Sequence, residues 1–524
     1  MSRFDTRRFT ISGTLVTGSP LAIGALADEL VDIPIQVDGQ GVPIIPGTAV
    51  AGALRARMST HESAWGSGDQ ASSIVVNDAP WKPRKSEKQP LIDVREGVSL
   101  NRYTRTAEVG FLYNYEVIPR GTQFDFTMTV DAEAEEVVSD LLAHLTNGFA
   151  VGRSTTKGLG RLSLVSPSVH KRNRSSREDL IAYVTKGESP RVEIPTTAKP
   201  ITTRATVTVP WQAHGPLLVA DASLGDAVDV VPKVARFWKK DSKRVSLVIP
   251  GSSTKGALRA HSESILRTVL DVQAANRPEG ESGEWGDRQN GHKHDLRPEA
   301  GMRLVALLFG TAGDRDGQGQ RGAITVNECH SRADWSWHSW STVVAASKDD
   351  GVENGLPQGN LLEALCRLDG PCRTQSSSQC RHLDAGRFVI GEHVAIDRWT
   401  GGAADGALYS VLEPWLTAES DWTPLVLDID TSTLPTEDAS AAIYLLLLTL
   451  RDFCEGWIPL GYGSSKGYGQ IDAPKSRVTI DGIADSRFSL DAAFVEEPSS
   501  DLDGYRNAWM QWIAEHKEGR SDER

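Results

Sequence analysis

Two glycine-rich segments, GRSTTKGLGRL at 152–162 and GYGSSKGYGQI at 461–471, each set one lysine, Lys157 or Lys466, among Gly, Ser and Thr. Backbone amides and an ammonium can approach a phosphodiester chain closely there, because glycine has no Cβ to hold the strand away. The Gly-Lys-Ser/Thr order of a nucleotide-hydrolysing loop is missing, so the chemistry suggested is phosphate holding. A β-bulge near a sheet edge is the plain structural alternative. A second pair, IPGTAVAGALR at 45–55 and IPGSSTKGALR at 249–259, reads as a Pro-Gly turn followed by a helix. A helix N-terminus carries partial positive charge and orphan N–H groups that suit phosphate. Thr48 and Ser252 are placed to cap these helices, and Ser253, Arg55 and Arg259 add donors. Lys255 adds a full charge in the second copy, where the first has Ala51. A capped helix packed on a sheet is the bland reading of the same residues.

Aromatic residues interleave with these basic sites: Tyr103, Trp399, Tyr462 and Tyr468, with Arg102 and Arg398 alongside. Stacking beside phosphate contacts is how single-stranded nucleic acid is held. Core packing is the competing use of each ring. The net charge of -13 opposes a uniformly basic binder. Basic residues nevertheless gather at Lys82–Lys88, at 170–177 and at Arg236–Arg244, and acidic ones at 133–136 and 496–503, as in a basic groove on an acidic body. Cys366, Cys372, Cys380 and His382 offer the donors of a Cys3His zinc site at loose spacing. Free thiols in a loop are the alternative, and Cys329 with His330 is a weaker pair of donors.

These residues are positioned by a repeat. The two Pro-Gly segments, then SLNRYTRTAEVGFLY (99–113) with AIDRWTGGAADGALY (395–409), then the two glycine-rich segments occur in the same order in both halves. Three ordered matches define a duplicated domain. Alternating FTISGTLV and ATVTVPW predict a first strand in each half, IVV at 74–76 and ITV at 324–326 a second. The segments at 135–149 and 439–457 predict a second helix, and a final strand carries the glycine-rich segment. The order β-α-β-β-α-β predicts an α+β chain of two tandem ferredoxin-like (RRM-like) domains. The first spans 1–190 and the second 200–485, with insertions near 274–301 and 347–391. A tail at 486–524 reads as a helix carrying Tyr505, Trp509 and Trp512. The hydrophobic fraction is 39%, and no apolar run approaches the ~18 residues a spanning helix needs. The N-terminus lacks a signal-peptide pattern, and five cysteines confined to the second half do not make a secreted framework. A cytoplasmic protein without a membrane partner is expected.

Taken together, the Pro-Gly-Ser-x-x-Lys-Gly-x-x-Arg element, the Phe309-Gly310 turn, the Asp-Arg-x-Thr-Gly segment at 397–401 and the terminal glycine-rich segment resemble the RAMP superfamily. More narrowly, each half is similar to the repeating backbone subunit of type III CRISPR effector complexes, and the fused layout resembles type III-D-like systems. The resemblance implies that the chain holds CRISPR guide RNA, with a hairpin thumb distorting the guide–target duplex. It implies other effector subunits and single-stranded target RNA as partners. It also implies that a loop aspartate after the first strand cuts target RNA with a divalent metal, Mg or Mn; by position these are Asp32 and Asp229. One carboxylate suffices because RNA carries its own 2′-hydroxyl nucleophile. Two alternatives stand beside this: a purely structural guide-RNA binder, and a guide-processing endoribonuclease for which His214 is the histidine nearest a first strand.

Overall fold

A computed structural model describes residues 7–25, 31–85, 87–100, 107–132, 135–173, 176–186, 189–195, 204–221, 228–240, 242–272, 302–311, 319–345, 387–483, 487–494 and 500–518, with short pieces between 352 and 368. The first half contains β1 (Arg7–Thr17), α1 (Gly47–Arg55), β2 (Ile74–Val76), β3 (Asp93–Leu100), β4 (Ala107–Val117), β5 (Gln123–Ala132), α2 (Glu136–Asn147) and β6 (Arg161–Asn173). The second contains β7 (Arg204–Val209), β8 (Val234–Lys239), β9 (Ser242–Ile249), α3 (Gly251–Leu270), α4 (Arg303–Phe309), β10 (Ile324–Val326), β11 (Phe388–Ile396), β12 (Ala403–Pro414), β13 (Leu425–Asp430), α5 (Thr436–Cys454), β14 (Thr479–Asp481) and α6 (Ser500–Glu518).

Both halves build an antiparallel sheet with corresponding order. In the first it is β6-β1-β5-β2, and in the second β14-β7-β13-β10. This mixed α/β arrangement is consistent with a ferredoxin-like fold. The alternation that marks β1 places Phe9, Ile11 and Leu15 inside. Its ladder with β6 slips between Ser12 and Thr14, where a Cβ on Gly13 would press on Leu164 at 2.8 Å. Helices α1 and α2 bring Val50, Leu54, Val138, Leu141 and Leu145 onto that sheet. In the second half Leu258 and Leu266 of α3 and Leu446 and Leu450 of α5 pack over Val207, Leu427 and Ile429. Each buried leucine of this kind contributes about 1.5–3 kcal/mol.

The expected elements differ from the observed ones at several points. Neither Thr48 nor Ser252 caps its helix: Pro46 and Pro250 hold the N-cap positions without a side-chain bond. The glycine-rich segments lie ahead of the last strands as short 3-10 turns, Thr155–Lys157 and Ser464–Lys466, because their glycines sit at positive φ. Residues 388–391, expected in an insertion, belong to β11. The rest of that insertion, and all of 274–301, fall almost wholly outside the described residues. Helix α6 does form, and Trp512 Nε1 donates to Asp438 Oδ1 at 3.1 Å on α5.

Two hairpins, β3–β4 and β11–β12, stand between the second and third sheet strands. They share a register: Gly97 faces Tyr113 as His393 faces Tyr409, and both ladders slip one pair further out. Val94, Val98 and Leu112 are exposed on one, and Val394, Ile396 and Leu408 on the other.

The halves meet closely. The turn Thr155–Lys157 of the first packs on β10 and α3 of the second, where a Cβ on Gly251 would lie 2.4 Å from the Lys157 carbonyl oxygen. A Cβ on Gly158 (φ +85°) would lie 2.7 Å from the Val326 oxygen. At the base of the first hairpin Arg95 pairs with Glu328 of the second half, and both side chains are at most 4% exposed. Arg236 of β8 bonds Asp93, and Arg84 and Arg120 lie over the Trp238 and Phe237 rings.

Removing one partner of a buried pair leaves an uncompensated charge. Arg95→Ala is therefore expected to destabilise the fold by about 3–5 kcal/mol, read from urea unfolding. Replacing both partners, Arg95→Met with Glu328→Leu, is expected to recover most of that loss. A single substitution costing under ~1 kcal/mol would show that the pair does not hold the junction.

Candidate functional site

The two loop aspartates occupy the same place in the two halves. In the first, the Asp32 amide donates to Asn114 Oδ1 at 2.8 Å, and the Asn114 amide donates to Asp32 Oδ2 at 2.9 Å. In the second, the Asp229 amide donates to Ser410 Oγ at 3.2 Å, while the Ser410 amide and hydroxyl donate to Asp229 Oδ2 at 2.7 and 2.9 Å. The next residues repeat the match, Ile33 bridging Tyr115 and Val230 bridging Val411, both parallel. Each aspartate is thus fastened to the outgoing strand of a hairpin, one residue beyond Tyr113 or Tyr409. Asp32 is exposed and Asp229 half-buried.

The helix starts do not offer their N–H groups to a ligand in the way the sequence suggested. At α1 the Gly47 amide donates to Asp78 Oδ1 at 2.7 Å, so a carboxylate already fills the anion position. At α3 Gly251 is buried beneath the Lys157 and Val326 carbonyls. Thr48, Ser252 and Arg55 are exposed, and Ser253 is half-buried. Lys255, expected to grip phosphate, is 7% exposed and donates to the Ile324 carbonyl at 2.7 Å. Arg259 is likewise engaged, with Glu263 at 3.0 Å and the Gly310 carbonyl at 2.9 Å. Burial, followed by repulsion from Lys157, Arg259 and Arg321, brings the Lys255 ammonium down to about 7. Motifs that read as separate sites therefore converge on one basic cluster where the halves meet.

The second glycine-rich turn is open where the first is covered. Lys466 is exposed, donates to the Tyr409 hydroxyl, and lies 4.5 Å and 5.5 Å from the Tyr409 and Tyr462 ring centroids. The Tyr409 hydroxyl bond raises the Lys466 pKa above its ordinary value, keeping the group cationic. At the hairpin tip Asp397 accepts from the Trp399 and Thr400 amides at 2.7 and 3.1 Å, which turns the chain and lowers its carboxyl pKa. Arg398 is exposed and Trp399 is 96% exposed. Arg102 and Tyr103 lie outside the described residues.

A family model for the RAMP superfamily matches residues 14–163 and 239–472. The chain belongs to the RAMP superfamily. No curated protein matches it by sequence. RAMP proteins are in general CRISPR-associated, bind CRISPR RNA and work in Cas complexes, and the two matched stretches fall one in each half. The open turn, exposed tryptophan and Asp32 of this RAMP protein lie within those stretches, and Asp229 lies just before the second.

Among the described residues, no three His, Cys, Asp or Glu side chains gather as a metal site. Cys366, Cys372, Cys380 and His382 lie outside those residues. Burial pushes the Cys329 and Cys454 thiols up to about 12, too high for a reactive thiolate. His214 is exposed, and its amide donates to the Gln470 carbonyl at 2.9 Å. No described helix is long and apolar enough to cross a membrane. Sequence reading passed over His393 and Glu413, which lie along the second hairpin; the only sequence signal was proximity to the matched segment ending at Tyr409.

Lys255 carries a pH signature. Its folded pKa, about 7, lies below the unfolded value of 10.5. Between these the unfolded chain binds the extra proton, so stability rises with pH through that window. Lys255→Met is expected to flatten the rise between about pH 7 and pH 10, measured by denaturant midpoints across pH. An unchanged pH profile would remove the burial argument.

Proposed function

We propose that the chain is a fused double-domain backbone subunit of a type III-D-like CRISPR effector complex. In this reading residues 1–190 and 200–485 are tandem ferredoxin-like domains and 486–524 a docked tail. They hold guide RNA while a target RNA pairs along it. The observation that carries the reading is the duplicated constellation: in each family-matched half, an aspartate loop is tied to an apolar hairpin beside a glycine-rich turn. Trp399 and the exposed Val394, Ile396 and Leu408 suit insertion against bases. Lys157 and Lys466, with Arg398 at the tip, suit the RNA backbone, while the exposed Thr48, Ser252 and Arg55 offer further polar contacts. Lys255 and Arg259 shape the junction.

Asp32 and Asp229 would cut the facing strand. A lone carboxylate does not make a protein cage for Mg or Mn; it fits an ion whose other ligands are RNA phosphate oxygens and water. A bound ion would supply charge neutralisation at phosphorus. The protein would fix the carboxylate relative to the hairpin, through Asn114 or Ser410, so that a linkage splayed by the hairpin faces it. The hydrogen bonds to the hairpin backbone also favour a second reading, in which both aspartates only fasten the loops and the chain is a structural RNA binder.

Asp32→Ala and Asp229→Ala separate the two. In an assembled complex with guide RNA, each substitution is expected to abolish one set of target cleavage products, at least 100-fold, with guide binding retained. If the double variant still cuts at every original position, the nuclease assignment fails and the structural reading stands. Incubating the chain alone with repeat RNA tests the guide-processing alternative; intact repeat RNA is expected.

A further inference from the structure

Along the second hairpin six side chains from three segments come together: His393 on β11, Tyr409 and Glu413 on β12, and Tyr462, Lys466 and Tyr468 around the glycine-rich turn. The His393 ring stacks on Tyr409 with centroids 5.2 Å apart. Its Nε2 lies 2.7 Å from the Tyr468 hydroxyl and 3.3 Å from Glu413 Oε1. Tyr468 donates to the same Glu413 oxygen, and Trp415 Nε1 donates to the other at 3.3 Å. Glu413 and Tyr468 are buried, at 7% each, whereas Lys466 is exposed. Two glycines make room for the network. A Cβ on Gly391 would collide with the Glu413 carboxylate at 2.0 Å, and one on Gly463 with the Tyr468 ring at 2.4 Å.

None of this network exists in the first half apart from one ring and one lysine. By the shared register and the glycine-rich repeat, Gly97 stands for His393, Val117 for Glu413, Arg153 for Tyr462 and Leu159 for Tyr468, while Tyr113 and Lys157 are retained. The first half uses the neighbouring position differently. Where the second has Gly391, the first has Arg95, committed to the buried pair with Glu328. One hairpin base thus fastens the two halves, and the other underpins an open surface.

We propose that this surface is a nucleotide clamp confined to the second half. It takes one unpaired RNA nucleotide, its base stacked on Tyr409 and Tyr462 and its phosphate on Lys466. The buried Glu413–Tyr468–His393 network positions the clamp by tying hairpin to turn. The ligand class follows from the chemistry. A cation set between two partly exposed rings offers a face for any base and a charge for the adjoining phosphate, without base-edge readout. The first half, with its turn covered and three of the four supporting side chains apolar or absent, holds RNA less tightly. This inference rests on the RNA-binding reading above.

The test uses the full chain and a short fluorescein-labelled single-stranded RNA carrying 5-iodouridine. Tyr409→Leu and Lys466→Gln are each expected to weaken binding about tenfold, and Tyr409→Phe, which keeps the ring, about twofold. Lys157→Gln is expected to change binding less than Lys466→Gln. Photocrosslinks are expected on Tyr409 or Tyr462. Tyr468→Phe is expected to lower the crosslink yield more than it lowers salt-dependent affinity, which a general loss of charge would not do. If the unaltered chain does not bind this RNA, the RNA-binding reading and the clamp both fail. If it binds, but Tyr409→Leu is neutral and crosslinks map elsewhere, the clamp alone fails.

Discussion

The arrangement depends on one close approach of backbone to backbone. Where the turn at 155–157 meets the start of α3, the Lys157 and Val326 carbonyl oxygens sit within 2.4 Å of where a Cβ on Gly251 would be. Gly158 allows the same approach from the other side. A side chain at either position would push the halves apart, because a packed interior does not yield by a carbonyl's width. This contact buries Lys255, gathers Lys157, Arg259 and Arg321 around it, and covers the first glycine-rich turn. The ion pair of Arg95 and Glu328 then fixes the rotation of one half on the other, since both charges are desolvated and each depends on its partner.

The repeat supplies two copies of the Pro-Gly, hairpin and glycine-rich segments, and the junction makes their roles unequal. Asp78 and Glu328 occupy corresponding positions after the second sheet strand; Asp78 accepts from the start of α1, whereas Glu328 turns to Arg95 across the junction. The two glycine-rich turns share their left-handed glycines, yet a Cβ on Gly158 would collide with the second half, while one on Gly467 would meet nothing within 4 Å. The same local sequence thus becomes a spacer in one half and a surface in the other. Tertiary context decides the difference, not composition.

Much of this was legible in the sequence. Period-two alternation in FTISGTLV and the apolar face of EVVSDLLAHL gave the strands and helices, because burial on one face imposes those periods. The repeat gave equivalence between halves, and the resemblance, by position, paired Asp32 with Asp229. What was not legible arose from contacts distant along the chain. Thr48 and Ser252 match the cap composition, but the Pro-Gly turn starts each helix two residues earlier, and Asp78, 31 residues on from Gly47, takes the α1 amide. Lys255 resembles a phosphate ligand until Ile324, 69 residues away, is seen to accept its hydrogen bond. His393 and Glu413 gave no signal beyond proximity to the matched segment ending at Tyr409, since no local spacing predicts that a hairpin ladder and a turn will bring them to Tyr468.

The fastening of Asp32 and Asp229 to their hairpins bears on how binding and cleavage could be joined. A loop carboxylate free of such ties would sample many positions, and in-line attack at phosphorus tolerates little misplacement. Here one carboxylate oxygen is held by the amide of Asn114 or Ser410, so the group moves with the hairpin strand. If the apolar hairpin face displaces a base, the strained linkage and the carboxylate are carried by the same rigid ladder, and their separation is set once for each half. The second half adds a further restraint. Ser410, which bonds Asp229, follows Tyr409, whose hydroxyl bonds Lys466 on the glycine-rich turn. Hairpin, carboxylate and turn are linked there through two consecutive residues, so RNA held on Tyr409 and Lys466 would be placed relative to Asp229 by covalent geometry rather than by chance encounter.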